Sequence, residues 1–216
     1  MEAPSCEWGA PLTKPSVKPP PPIMSLRILH CISSVNPAAG GPIEGLKQLA
    51  AANKRLGRQV EVVSLDAPED PWVRDSPVPC HAMGPGHIGN YKYSPRLVPW
   101  LKANAHRYDM VIVNGIWQYH AFAAWQALHD SPTPYFVFTH GMLDPWFKRE
   151  YPLKHLKKWL FWPWSEYRLL RDAAAVLFTC EDERQLARKS FWLYRCDEFV
   201  VSYGTSAPPS NIDQQT

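Results

Sequence analysis

The sequence predicts an α/β fold: one Rossmann-like, doubly wound parallel sheet. Two observations predict it. Short apolar runs alternate with stretches whose apolar residues recur at helical spacing. The runs are also continuous rather than alternating with polar residues, as in strands covered on both faces.

The elements follow in order. Leu26–Ser33 (LRILHCIS) is a short run rich in β-formers and reads as a strand; a loop, NPAAGGP, follows. From Ile43, apolar residues at Ile43, Leu46, Leu49, Ala50 and Leu56 share one helical face. Pro42 suits the first helical turn and Gly57 the stop. Gln59–Leu65 is the next strand, and Pro68 to Pro95 reads as irregular. Arg96–Tyr108 is a helix, Asp109–Gly115 a strand, Gln118–Asp130 a helix and Tyr135–Gly141 a strand. A long helical region covers Leu153 to Arg171, kinked at Pro163. Ala174–Cys180 is a strand, EDERQLARKSF a helix and EFVVSYG a last strand. The folded part is expected over 25–204. A disordered Pro-rich leader over 1–24 and a disordered polar tail over 205–216 flank it.

Composition bounds the function. Of 216 residues, 45% are hydrophobic and 12% aromatic, enough for a sizeable core. A net charge of +3 is too small to argue for nucleic acid. The five cysteines are widely spaced without a metal-ligand pattern, which reads as reduced thiols in a cytoplasmic protein. No apolar run approaches the roughly 18 residues that span a bilayer, and the start lacks the apolar core of a signal peptide.

In open parallel sheets, ligands bind outside the carboxyl ends of the strands. Three loops fall there: Ser33–Pro42, Asn114–His120 and His140–Trp146. Gly40 and Gly41 precede a helix, where free amides and the helix dipole favour a phosphate; a plain turn explains them equally well. Asn114, Trp117, Gln118 and His120 pair rings with amide and imidazole groups, as sugar recognition needs. Packing of the following helix is the alternative. His140, ending a buried strand before a glycine, is the candidate for hydroxyl binding or proton transfer. Asp144 and Asp66 could meet sugar hydroxyls or cap loops. Glu181, Asp182 and Glu183 read as dipole-favouring acids at a helix start, and His30, His81, His87, His106, His129 and His155 carry no assigned role. Lys148, Arg149, Lys154, Lys157 and Lys158 interleave with Trp159, Phe161, Trp162 and Trp164. Such a basic, Trp-rich amphipathic segment over 147–164 can lie on an anionic membrane or simply pack.

Three stretches carry a resemblance: LRILHCISSVNPAAGGPIEGLKQLAAA, NGIWQYHAFAAWQAL and YFVFTHGMLDPWFKREYPLKHLKKWLFW. Together they resemble the amino-terminal, acceptor-side half of bacterial family-4 ("group 1") glycosyltransferases, over about Leu26 to Gly204. The resemblance implies a GT-B fold of two Rossmann-like domains. It also implies retaining transfer from a nucleotide-sugar to a glycan or lipid-linked acceptor in surface polysaccharide synthesis, with no cofactor and no metal. It places Gly40 and Gly41 near the donor diphosphate and His140 near the transferred sugar. The family's second domain, with its E-x7-E element, has no counterpart after Gly204. The chain therefore reads as a fragment or one half of a split enzyme, inactive alone and needing a separate donor-domain chain. The alternative is a non-catalytic sugar- or lipid-binding partner subunit. The expected location is cytoplasmic, with peripheral contact at the cytoplasmic membrane face.

Overall fold

The computed structural model describes residues 26–201, so the expected leader and the expected tail both lie outside the described residues. Seven strands form one sheet: β1 (Arg27–Ile32), β2 (Gln59–Ser64), β3 (Cys80–Ala82), β4 (Met110–Asn114), β5 (Tyr135–Phe138), β6 (Ala175–Phe178) and β7 (Glu198–Val200). Their spatial order is β3-β2-β1-β4-β5-β6-β7, and each neighbouring pair is parallel. Chain order reverses direction between β1 and β4, which makes that pair the switch point where doubly wound sheets open a crevice.

The connections are helical: α1 (Gly41–Arg55), α2 (Pro71–Arg74), α3 (Leu97–Asn104), α4 (Tyr119–Leu128), α5 (Trp146–Glu150), α6 (Pro152–Phe161), α7 (Glu166–Asp172) and α8 (Glu181–Ala187). Strand period two sorts the core into two layers. Leu29, Cys31, Val111, Val113 and Val137 point to the face covered by α3, α4, α7 and α8. Ile28, Ile32, Ile112 and Phe138 point to the opposite face, where Ile43, Leu46 and Ala50 of α1 cover them. Helix α1 begins with Pro42 in its first turn and stops before Gly57, which takes a left-handed φ of 74°.

Three expectations change. The Pro68–Pro95 stretch contains α2 and β3. Strand β3 has only three residues between prolines, and its pairing to β2 rather than any local period creates it. Leu49 on α1 and Leu56 just after it are exposed, and Asn53 takes a buried place, donating Nδ2–H to the Leu49 carbonyl. The long helix of 153–171 is two helices, separated at Trp162–Ser165 around Pro163. Trp162 there is fully buried, donates Nε1–H to the Leu193 carbonyl at 2.6 Å and stacks on Phe191 at 4.0 Å. Helix α6 does not pack into the core: none of its residues is buried.

Candidate functional site at the carboxyl edge of the sheet

The switch point brings three residues from three strands together. His30 on β1 and Asn114 ending β4 share the α1 face by parity, and His140 follows β5. Asn114, 4% exposed, has its amide orientation set by its partners. Its Nδ2 donates to the Ile112 carbonyl at 3.1 Å and to His30 Nδ1 at 3.0 Å. Its Oδ1 then faces His140 Nε2 at 3.4 Å, so that ring nitrogen carries the hydrogen. His30 is the residue that sequence reasoning missed. A histidine in mid-strand has no ligand spacing, and only strand pairing shows what it reaches.

The buried His30 and His120 and the half-buried His140 are neutral. Burial pushes the His30 imidazole down to about 4, which the Asn114 bond and the nearby His140 only modify. Burial does the same to His140, also to about 4, with the Glu183 carboxylate acting in the opposite direction. A neutral imidazole donates one hydrogen bond and accepts another; it does not offer a fixed positive charge to a phosphate.

His140 holds a left-handed backbone, φ 49°, followed by Gly141 at φ 74°. A non-glycine residue in that region is strained and needs outside support. Glu183 supplies it from the first turn of α8. Oε1 accepts from Thr139 Oγ1 at 2.8 Å and from the Gly141 N–H at 2.7 Å; Oε2 accepts from the Thr179 N–H and hydroxyl, both at 2.7 Å. Burial alone would raise this carboxyl, but the bonds from Thr179, Gly141 and Thr139 outweigh it and hold it below the usual glutamate range.

Gly40 and Gly41 stand at the same edge, where α1 begins. Gly40 has φ 93°, which a side chain rarely adopts, yet a Cβ at either glycine would meet nothing within 4 Å. The glycines therefore leave open space at the amino end of a 15-residue helix. The preceding loop is fixed by Asp66, whose carboxylate accepts from the Ser34 hydroxyl at 2.5 Å and the Val35 N–H at 2.7 Å.

The remaining candidates take up packing and loop contacts. His120 is 1% exposed and donates Nε2–H to the Asn114 carbonyl at 2.9 Å, so it supports the strand end from beneath instead of facing a ligand. Burial pushes it down to about 4, against its backbone bonds. Trp117, at φ 74°, donates Nε1–H to the Met142 carbonyl at 3.2 Å, packs against Trp162 and Phe191, and carries Lys158 over its ring at 4.5 Å. Its faces are occupied by protein. Gln118 donates Nε2–H to the Asn90 carbonyl at 3.1 Å, and Asp144 accepts the Trp146 N–H at 2.8 Å as a loop cap. Among the described residues, no group of three His, Cys, Asp or Glu gathers that could hold a metal ion.

Comparison with known proteins gives the family. The family described as "Glycosyl transferase 4-like domain" matches residues 40–204. No curated protein matches the chain. A crystal structure of Acinetobacter baumannii MurG is similar at 11% identity with a TM-score of 0.48, covering 84% of this chain and 47% of that one. The chain thus spans about half the length of that structure. The match over residues 40–204 takes in the whole path from the glycine loop through His140 to the last strand, and the chain belongs to the glycosyl transferase 4-like domain family.

Proposed function

We propose that this domain is the acceptor-side half of a retaining, metal-independent glycosyltransferase that moves a sugar from a nucleotide-sugar to a glycan or lipid-linked acceptor. The observation that carries the reading is His140. A neutral imidazole on a strained backbone is held at the carboxyl edge of β5, one strand from the switch point, in a chain of this family. In this reading His140 bonds a hydroxyl of the transferred sugar. The open amino end of α1 at Gly40 and Gly41 meets the diphosphate, and Asn114 fixes the imidazole's tautomer. Such fixed donors act where charge develops on the leaving group. Transfer requires a nucleotide-binding second domain, supplied elsewhere in the same polypeptide or by a separate chain, because one wall of a cleft cannot position both reactants.

The exposed face of α6 favours a lipid-linked acceptor. Leu153, Leu156, Leu160 and Phe161 are each more than half exposed, with Trp164 and Trp192 beside them. Lys154 and Lys157 lie on the same helix and Lys148 just before it. An apolar, Trp-bearing surface rimmed by lysines suits an anionic bilayer.

The test supplies a donor-binding half from a family member and assays transfer from UDP- and GDP-sugars to lipid-linked acceptors. Expected are negligible transfer by this chain alone, transfer on reconstitution, and a loss on the order of 100-fold in His140→Ala. Absence of transfer with every intact donor half removes the reading. Association with phosphatidylglycerol vesicles without any transfer would instead favour a non-catalytic sugar- or lipid-binding subunit.

A further inference from the structure

The acids at 181–183 look from sequence like ordinary helix-start residues, and Glu181 behaves as one, pairing with Arg184 and Gln185 on the surface. Glu183 differs. It faces inward, and four donors from two strand ends converge on it: the hydroxyl of Thr139, the amide of Gly141, and the amide and hydroxyl of Thr179. Two of these donors flank His140 in the chain and the other two belong to the end of β6. The carboxylate therefore bridges the β5 and β6 loops across the residue with the left-handed backbone.

We propose that Glu183 is the positioning residue of His140: its carboxylate fastens the His140–Gly141 turn to the end of β6 and so fixes the imidazole at the sheet edge. This rests on the reading of His140 as the residue that meets the transferred sugar. The bridge itself is a property of the chain and can be tested without any transfer. No other side chain has the right form for the place. A glutamine offers one acceptor oxygen to four donors, and an aspartate is one methylene too short to span both loops. The groups electrically close to His140 are His30 on β1 and Glu183 on α8, the first neutral and the second charged at neutral pH.

The experiment follows the His140 ring by NMR during a pH titration of the full chain, in Glu183→Gln and Glu183→Ala. The two contributions of Glu183 act in opposite directions. Its charge raises the His140 pKa, so losing the charge alone would lower it. Losing the bridge lets the ring leave its buried position, which raises the pKa from about 4 toward the ordinary 6.5. The expected result is a rise in both variants, larger for alanine, while His120, which Glu183 does not touch, stays neutral and reports an intact domain. A folded variant whose His140 stays at or below about 4 overturns the proposal. A measurement on the unaltered protein guards against variants that fail to fold. The Gly141 amide must exchange with solvent as slowly as the amides of β5, and exchange at the rate of an open loop also overturns it. Either result stands whether or not transfer is ever reconstituted.

Discussion

His140 makes three statements at the scale of one residue. Its backbone is strained, its ring is neutral, and its Nε2–H is committed to Asn114. Asn114 is the element of this trio that substitution tests most sharply. Asn114→Asp puts a carboxylate between two imidazoles and takes the donor away from the Ile112 carbonyl. The His30 and His140 pKa values should both rise from about 4, read by ring chemical shifts. The variant should also lose about 1–3 kcal/mol in urea unfolding, because a buried acceptor is left unpaired. Gly40 makes the simpler case. Nothing within 4 Å obstructs a Cβ, so Gly40→Ala should cost only backbone strain, about 1 kcal/mol or a little more, while narrowing the open space proposed for a diphosphate.

At the scale of elements, the 146–172 stretch divides into parts with opposite tasks. Trp162 at the break is core: it is fully buried against Phe191. Trp162→Ala should cost about 3–5 kcal/mol in thermal or urea unfolding. Helix α6 carries the surface task. The double variant Leu153→Ser, Leu160→Ser alters side chains 83% and 60% exposed, so stability should change by no more than about 0.5 kcal/mol. Pelleting with phosphatidylglycerol vesicles should nevertheless fall. Unchanged pelleting would place the lipid contact elsewhere. Helical periodicity in this stretch predicted an apolar face correctly, but periodicity does not say whether a face meets a core or a bilayer. Here Pro163 and the buried Trp162 turned α6 away from the sheet.

For the whole molecule, the buried histidines tie stability to pH. His30, His120 and His140 each fall to about 4 in the fold from an ordinary 6.5. Unfolded chains take up these protons first as the pH drops, so the contribution is fully present above 6.5 and is lost as pH falls from 6.5 toward 4. Each histidine adds a slope of up to about 1.4 kcal/mol per pH unit in that window. Glu183, held below its ordinary range, extends the loss to lower pH as it too is protonated. Urea midpoints measured from pH 7.5 to 4.5 should fall steeply below 6.5, and a flat profile would show that these rings are not buried neutral. Among the described residues β7 is an edge strand, with Phe199 and Val200 exposed, a second feature that belongs to the molecule as a whole.

The sequence by itself determined the alternation of strands and helices, the parallel sheet and the three loops at its carboxyl edge. Those follow from local periods and from continuous apolar runs, which are properties of neighbours in the chain. It also offered His140, Gly40 and Gly41 as candidates, because a histidine or a glycine pair at a strand end is visible in one dimension. Only the tertiary structure decided the rest. His30 meets Asn114 across 84 residues, and Glu183 meets Gly141 across 42. Strand β3 exists through its pairing with β2, and His120 and Trp117 turn inward to bonds with the Asn114 and Met142 carbonyls. Those contacts depend on which strands become neighbours and on which atoms burial leaves needing a partner, and no local pattern in the chain encodes either.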